Sequence, residues 1–323
     1  MNSDEKDVRN ATGLTRRRLL RRGRDAGIGL WAAGLVRPLL AAATAPDALN
    51  VAYAGSMGSL MEGPLKQAAA RSLNLELRGH GQGANALAQL IVAGSLTPDV
   101  FVSVTPGPME LVLRAGKAAN AVPVASTRMV IAYSPHSRFT AQFDAARAGK
   151  AEWWRVLENP GLRFGRSDPA TDPQGRNIIF VMMLAAKKYG QPDLVEKVLG
   201  STVNPQQISM EAGVQARLES GELDAASAYR IQPGAFHLPF LELPHDVDLS
   251  GSDVHARNPE IQLAAGGKTF VPEPLVYYAA ALKSAKNPAA AEAFVRWLTG
   301  AEAQGLFRQA DYDLPGDAPP LHA

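Results

Sequence analysis

No cysteine occurs among the 323 residues, which excludes disulfides and thiolate metal sites and says nothing further about compartment. The six histidines fall into no H-x-x-x-H or H-E-x-x-H spacing, so the sequence offers no metal-ligating framework and calls for no cofactor. Apolar runs are broken by a charge or a proline before they reach the roughly 18 residues of a membrane span. There is no internal repeat, which sets aside solenoids and propellers, and no low-complexity linker. What remains is ordinary for a soluble globular protein: 46% hydrophobic and 20% charged residues, in a chain long enough for two lobes or domains.

The first 45 residues are the exception. Thr15-Arg16-Arg17-Arg18-Leu19-Leu20-Arg21 precedes a mild apolar stretch from Ala26 to Leu35 and then the small residues Ala41-Ala42-Ala43-Thr44-Ala45. A basic region, an apolar region and a small-residue cleavage site make an export signal. The paired arginines followed by two leucines resemble the twin-arginine type, and residues 1–45 are therefore expected to direct the protein to the periplasm. Without them the chain carries 24 Lys+Arg against 27 Asp+Glu, a net charge of −3. A mildly acidic body argues against a nucleic-acid partner, and a monomer is expected.

Short strand-like runs alternate with longer helical patterns, the signature of an α/β protein. Strands are expected near 51–54, 73–77, 99–103, 127–133, 223–229, 240–244 and 274–282. Helices are expected over 60–72, 84–93, 109–115, 177–189, 191–199, 214–220, 287–298 and 301–310, with further helix in the charged stretch 136–160. That stretch holds Trp153-Trp154, an adjacent pair of which one is expected in a core and the other under a loop. Two apolar strands border the middle of the chain. They suggest that residues 126–235 form one lobe inserted into another made of 46–125 and 236–323, with 240–244 returning to the outer lobe.

Four junctions place small or turn residues before a helix: Gly55-Ser56-Met57-Gly58, Gly81-Gln82-Gly83-Ala84-Asn85, Asp172-Pro173-Gln174-Gly175 and Met210-Glu211-Ala212-Gly213. In open α/β sheets ligands sit beyond the carboxyl ends of strands. Free N–H groups and the positive helix end favour anions there. Ser56 could cap its helix, act as a nucleophile or cradle a ligand. The nucleophile elbow G-x-S-x-G is broken by Ala54, and no local pattern ties a histidine to Ser56, so no enzymatic activity is expected. Gly81-Gln82-Gly83-Ala84-Asn85-Ala86 fits the dinucleotide pattern G-x-G-x-x-G/A. Its expected acid, Asp99, opens a strand rather than closing one, at the wrong end for a ribose. In Ser167-Asp168-Pro169-Ala170-Thr171-Asp172-Pro173 two Asp-Pro pairs fix an extended turn, either a capped helix start or a loop that closes over a ligand.

FGRSDPATDPQGR with the helix after it, AGSMGSL after the first strand, PDVFVSV, SGELDAASAYR and the closing PEPLVYYAAALKSAKNPAAAEAFVRWLTGAEAQGLF resemble, in order and spacing, the periplasmic molybdate/tungstate-binding proteins of ABC transporters. Within them they are closer to the tungstate-type branch. The resemblance implies a two-lobed type II periplasmic binding fold, each lobe a mixed sheet flanked by helices. A small oxyanion would lie in the cleft and an ABC permease would be the membrane partner. It implies that Ser56 and Tyr229 reach the anion by their hydroxyls, with backbone donors near Gln174 and Ala212; the N–H at Met57 and the side chain of Ser103 are further candidate ligand contacts. Where the family has a second serine this chain has Gly83, with Gln82 and Asn85 as substitute donors. The tungstate-type branch adds two carboxylates. One matches Asp168 or Asp172, and the other falls at Ala228, which cannot ligate. Tetrahedral binding through hydrogen bonds is therefore expected, with the aspartates capping helices or pairing with Arg166 or Arg176. Phosphate, sulfate or an organic acid are the alternative ligands, and a serine hydrolase or transferase the alternative activity.

Overall fold

A computed structural model describes residues 46–323, and the expected export signal lies outside them. The first half of the chain runs β1 (Asp47–Ala54), α1 (Gly58–Leu60), α2 (Lys66–Leu73), β2 (Leu75–Gln82), α3 (Ala84–Ala93), β3 (Val100–Val104), α4 (Pro106–Arg114), β4 (Asn120–Ser126), β5 (Met129–Tyr133), α5 (Thr140–Arg147), α6 (Trp153–Leu157) and β6 (Phe164–Gly165). It continues through α7 (Pro173–Tyr189), α8 (Leu194–Leu199), α9 (Glu211–Glu219), β7 (Ala225–Tyr229), α10 (Ile231–Ala235), β8 (Phe240–Glu242) and α11 (Val254–Arg257). The last elements are β9 (Leu263–Ala265), β10 (Lys268–Phe270), β11 (Val276–Ala281), α12 (Pro288–Leu298), α13 (Ala301–Gln309) and β12 (Leu321–His322). No helix among the described residues is long and apolar enough to cross a membrane.

Two mixed sheets organise these elements. The larger has the order β12-β4-β11-β3-β1-β2, with β1 parallel to β2 and β3, and β11 antiparallel to β3 and β4. The smaller has the order β6-β7-β5-β8, with β5 antiparallel to β7 and β8. Thus β8, expected to return to the outer lobe, pairs within the smaller sheet instead. The smaller sheet draws its strands from residues 129–242 and the larger from 47–126, 276–281 and 321–322. A separate hairpin joins β9 to β10 through Gly266-Gly267, both at positive φ, the backbone a two-residue primed turn requires.

Side-chain alternation decides which strand faces build the core. In β7, Ala225 and Tyr229 enter the main apolar cluster, while Ala226 and Ala228 pack with Val130, Val214 and Leu218 on the other face. Both tryptophans join the same buried cluster, contrary to the expectation that only one of the adjacent pair faces a core. Tyr189 at the end of α7 accounts for it: Trp153 Nε1 donates to its hydroxyl at 3.2 Å, and Trp154 lies with its ring centroid 5.6 Å from the same ring. One aromatic thus serves two directions of approach.

The helical segment after β1 is irregular. A 3-10 turn (Gly55–Met57) and α1 pass into a wide π turn (Met61–Leu65) that contains Pro64, before α2 begins. Proline supplies no N–H and disturbs the regular ladder, and such widened turns concentrate at functional sites. At the other end of the chain, ion pairs fasten the segment after α13 to the smaller sheet. Arg128 meets Glu242 at 3.1 Å and Asp313 at 2.6 Å, and Arg230 meets Glu242 at 3.0 Å and Asp311 at 3.3 Å. All are partly exposed, so each contributes little alone, but together they fix where Asp311 and Tyr312 stand.

Candidate anion-binding cleft

All four strand-to-helix or turn-to-helix junctions meet in one place. A cleft of about 1070 Å³ is lined by Gly55, Ser56 and Gly58 after β1, by Gly81, Gln82 and Gly83 before α3, by Asp172 before α7, and by Met210 before α9. The parallel strands β1 and β2 both end there, which is where an open α/β sheet offers its N–H groups. Gly83 and Asp172 are the N-caps of α3 and α7, so two helix N-termini, each carrying a partial positive charge, open onto the cleft. The walls touch: a Cβ on Gly83 would lie 3.1 Å from Thr171 O and 3.7 Å from Asp172 Cα. Glycine is needed there for the close approach.

The polar lining is hydroxyl, amide and carboxyl. Ser56, Ser59, Ser167, Ser209, Gln215 and Gln232 line the cleft together with Asp168, Asp172 and Asp311, and the lining contains no Lys, Arg or His. Ser56 Oγ lies 3.0 Å from Tyr277 Oη. Ser167 and Gln215 are each only 3% exposed. Neither Ser167 Oγ nor Gln215 Oε1 has a protein partner of good hydrogen-bond geometry, although Ser167 stands near enough to Asp172 to favour its charged form. Leaving such groups buried and unpaired costs about 1–3 kcal/mol each, a cost that a ligand can offset.

Asp172 explains why α7 begins four residues earlier than its apolar pattern predicts. Its Oδ1 accepts from Gln174 N at 2.9 Å, and Pro173 occupies the first helical position, where a missing N–H costs nothing. Burial pushes the Asp172 carboxyl above the usual range, against the pull of the Gln174 N–H, Ser167 and the Arg176 charge. Asp168 likewise closes its own turn, its Oδ1 accepting from Ala170 N at 2.8 Å. Both aspartates therefore cap. The expected pairing with arginine does not occur. Fully buried Arg166 donates to Gln207 Oε1 and to the carbonyls of Ser201 and Thr202 at 3.0 Å. Arg176 donates to Pro169 O at 2.9 Å and lies over the Phe270 ring at 4.2 Å. Burial lowers the pKa of both guanidinium groups, but each feels the opposing charge of one aspartate. Arg176 also faces the carboxyl of Glu273, so the two cations behind the turn are shared among three acidic groups.

The expected ligand residues divide into two sets. Ser56, Gly83, Asp168 and Asp172 line the cleft. Behind it lie Met57 in the core, Ser103 with its Oγ donating to Thr105 O at 3.2 Å, and Tyr229, whose hydroxyl accepts from Asn177 Nδ2 at 3.1 Å. Asn85, oriented with its amide oxygen towards Arg176, accepts from both terminal guanidinium nitrogens and ties α3 to α7. The Gln174 N–H is spent on Asp172, while its side chain donates to Gln232 Oε1 at 2.7 Å. Ala212 belongs to the first turn of α9. Ala228 packs in the apolar cluster on the far face of β7 from Tyr229, so a carboxylate there would be buried among aliphatic side chains rather than presented to the cleft. Among the described residues no group of three or more His, Asp or Glu could hold a metal ion.

Sequence reasoning missed Tyr277, Tyr312, Gln215 and Ser167 as cleft residues or their supports. For Tyr277 the signal is topological, since β11 runs antiparallel to β3 and so starts where β1 and β3 end, whereas Ser167 stands in the double Asp-Pro turn already singled out.

Residues 49–313 match a family of bacterial extracellular solute-binding proteins. The molybdate/tungstate-binding protein WtpA of Thermococcus kodakarensis is 30% identical over 212 residues, 59% of this chain and 59% of the relative. The matched region thus spans less than two thirds of that relative's length. Among solved structures, the periplasmic molybdate-binding protein of Azotobacter vinelandii superposes with a TM-score of 0.56 at 18% identity, covering 83% of this chain and 99% of the other. The sulfate-binding protein SubI of Mycobacterium tuberculosis gives 0.57 at 12% identity, over 84% and 88%. These likenesses establish the two-lobed α/β fold of periplasmic binding proteins.

Proposed function

The chain belongs to the bacterial extracellular solute-binding proteins, and from that we propose that it is exported to capture a small oxyanion, molybdate or tungstate, for an ABC permease. The convergence of four helix-opening junctions on one cleft carries this reading. It supplies N–H and hydroxyl donors, which a fully ionised oxyanion needs on every side. The sequence similarity to WtpA over the matched region favours molybdate and tungstate over other tetrahedral anions. The lobes are those of the two sheets, and the anion sits between Ser56 on one and Ser167 on the other. Donors come from Ser56, Ser167 and the backbone at Gly83. Tyr229 and Gln174 support the wall from behind, and Gln232 lines it. This reading gives Ser56 a binding role rather than a catalytic one: its hydroxyl bonds a tyrosine, whereas a triad serine is activated by a histidine base.

Isothermal titration of the protein with molybdate, tungstate, sulfate and phosphate tests this directly. Molybdate and tungstate are expected to bind tightest, and heat from none of the four overturns the oxyanion reading. Ser56→Ala should weaken tungstate binding by about 1.5–3 kcal/mol, the usual worth of a hydrogen bond to a charged group. An unchanged Kd removes Ser56 from the site.

A further inference from the structure

Tyr277 lies beneath Ser56 and is fully buried. It belongs to the first residues of β11, opposite Val104 at the end of β3, so the topology itself delivers a phenol to the carboxyl edge of β1. A register shift between Tyr277 and Tyr278 in the pairing with β4 re-aims the strand at that point. By strand alternation Tyr277 enters the cluster that holds Met57 and Tyr53, and Tyr278 the opposite one. Tyr312, which lines the cleft, packs edge-on against Tyr277 with ring centroids 5.4 Å apart. The phenol is thereby held by its ring, with its oxygen 3.0 Å from Ser56 Oγ.

We propose that Tyr277 is the positioning residue that points the Ser56 proton at the ligand and so selects oxyanions that only accept hydrogen bonds. This rests on the oxyanion reading given above. A phenolic hydroxyl is in general a stronger donor than an aliphatic one, so Tyr277 O–H donates to Ser56 Oγ. With that bond occupying one lone pair of Ser56 Oγ, the serine proton is free to take a direction that faces the cleft, where a ligand oxygen accepts it. The relay also polarises the serine hydroxyl, because hydrogen bonds in a chain strengthen one another. With Ser56 fixed as a donor, a tungstate oxygen is accepted. The O–H of an anion that keeps a proton, such as hydrogen phosphate, finds no acceptor at this hydroxyl.

Calorimetry with sodium tungstate and sodium phosphate on the unaltered protein, Tyr277→Phe, Ser56→Ala and the double variant tests the relay. Tyr277→Phe removes one oxygen from a buried ring. It should weaken tungstate about 5–20-fold and phosphate less, narrowing the ratio between them. In the Ser56→Ala background the same change should alter tungstate affinity by less than about twofold, whatever it does to the melting temperature, because there is no serine left to orient. A Tyr277→Phe protein with the tungstate Kd of the unaltered one, or a weakening that adds in full to that of Ser56→Ala, overturns the inference alone. An unaltered protein that gives no heat with tungstate overturns the reading it rests on and the inference with it.

Discussion

Asp172→Asn is expected to bind tungstate about tenfold more tightly than the unaltered protein. The carboxylate lines the cleft where a dianion is to sit, and like charges a few ångströms apart at a partly solvated site repel by on the order of 1–4 kcal/mol. Screening and the buried guanidinium of Arg176 reduce that to about 1.4 kcal/mol, a factor of ten. Asparagine keeps what Asp172 does for the fold, since its amide oxygen still accepts from Gln174 N and Asn is as good an N-cap as Asp. A raised carboxyl pKa adds a pH signature. As pH falls towards that value the carboxyl takes up a proton, the repulsion disappears and tungstate affinity rises. Binding at a pH above it draws in a proton, so the heat depends on the buffer's ionisation enthalpy. The variant should show neither effect. Calorimetry in two buffers over a series of pH values measures both, and a tenfold loss of affinity in Asp172→Asn would mean that the carboxylate bonds the metal.

Gly175→Ala should destroy the site. Gly175 sits in the first turn of α7 with the 167–169 backbone against it. A Cβ there would collide with Ser167 O and lie 2.8 Å from Asp168 C and Pro169 N. These are main-chain atoms of the turn that carries Ser167 and Asp168, so relief comes only by moving the turn or the helix. The expected outcome is a loss of about 3 kcal/mol of stability, the upper part of the range for overpacking a close-packed site, and tungstate binding weakened beyond detection. Gly213 supplies the control. It occupies the first turn of α9 at the same cleft, but its Cβ would meet nothing nearer than Ser209 Cβ at 3.9 Å. Gly213→Ala should therefore melt at or slightly above the unaltered temperature, since alanine is the better helix former by about 1 kcal/mol. Thermal melting of the two variants side by side decides it, and an equally stable Gly175→Ala would refute the packing account.

What the sequence disclosed and what it withheld follow one physical line. Helix starts were legible because caps and glycines are local: α3 begins at the predicted Ala84, and α12 begins after Asn287, whose side chain accepts from Ala290 N. The four junctions were therefore visible one by one, and only the fold could show that they share a cleft. Features set by pairing across the chain were not legible. β4 carries no expected strand because Pro123 interrupts it, whereas β11 and β12 supply its partners. Ala228 was read as a vacated ligand position because the residue beside it, Tyr229, carries the resemblance. Strand alternation turns the two to opposite faces. Tyr277 was one apolar residue in a strand until the order β11-β3-β1 brought it under Ser56.

A crystal structure of the protein with tungstate, located by the anomalous signal of tungsten, tests the central claim most directly. The account predicts one tungsten in the cleft between Ser56 and the 167–172 turn. Its oxygens should lie about 2.7–3.2 Å from Ser56 Oγ and Ser167 Oγ, with no carboxylate at coordination distance. Tungsten bonded to Asp168 or Asp172, or bound outside the cleft, would contradict it.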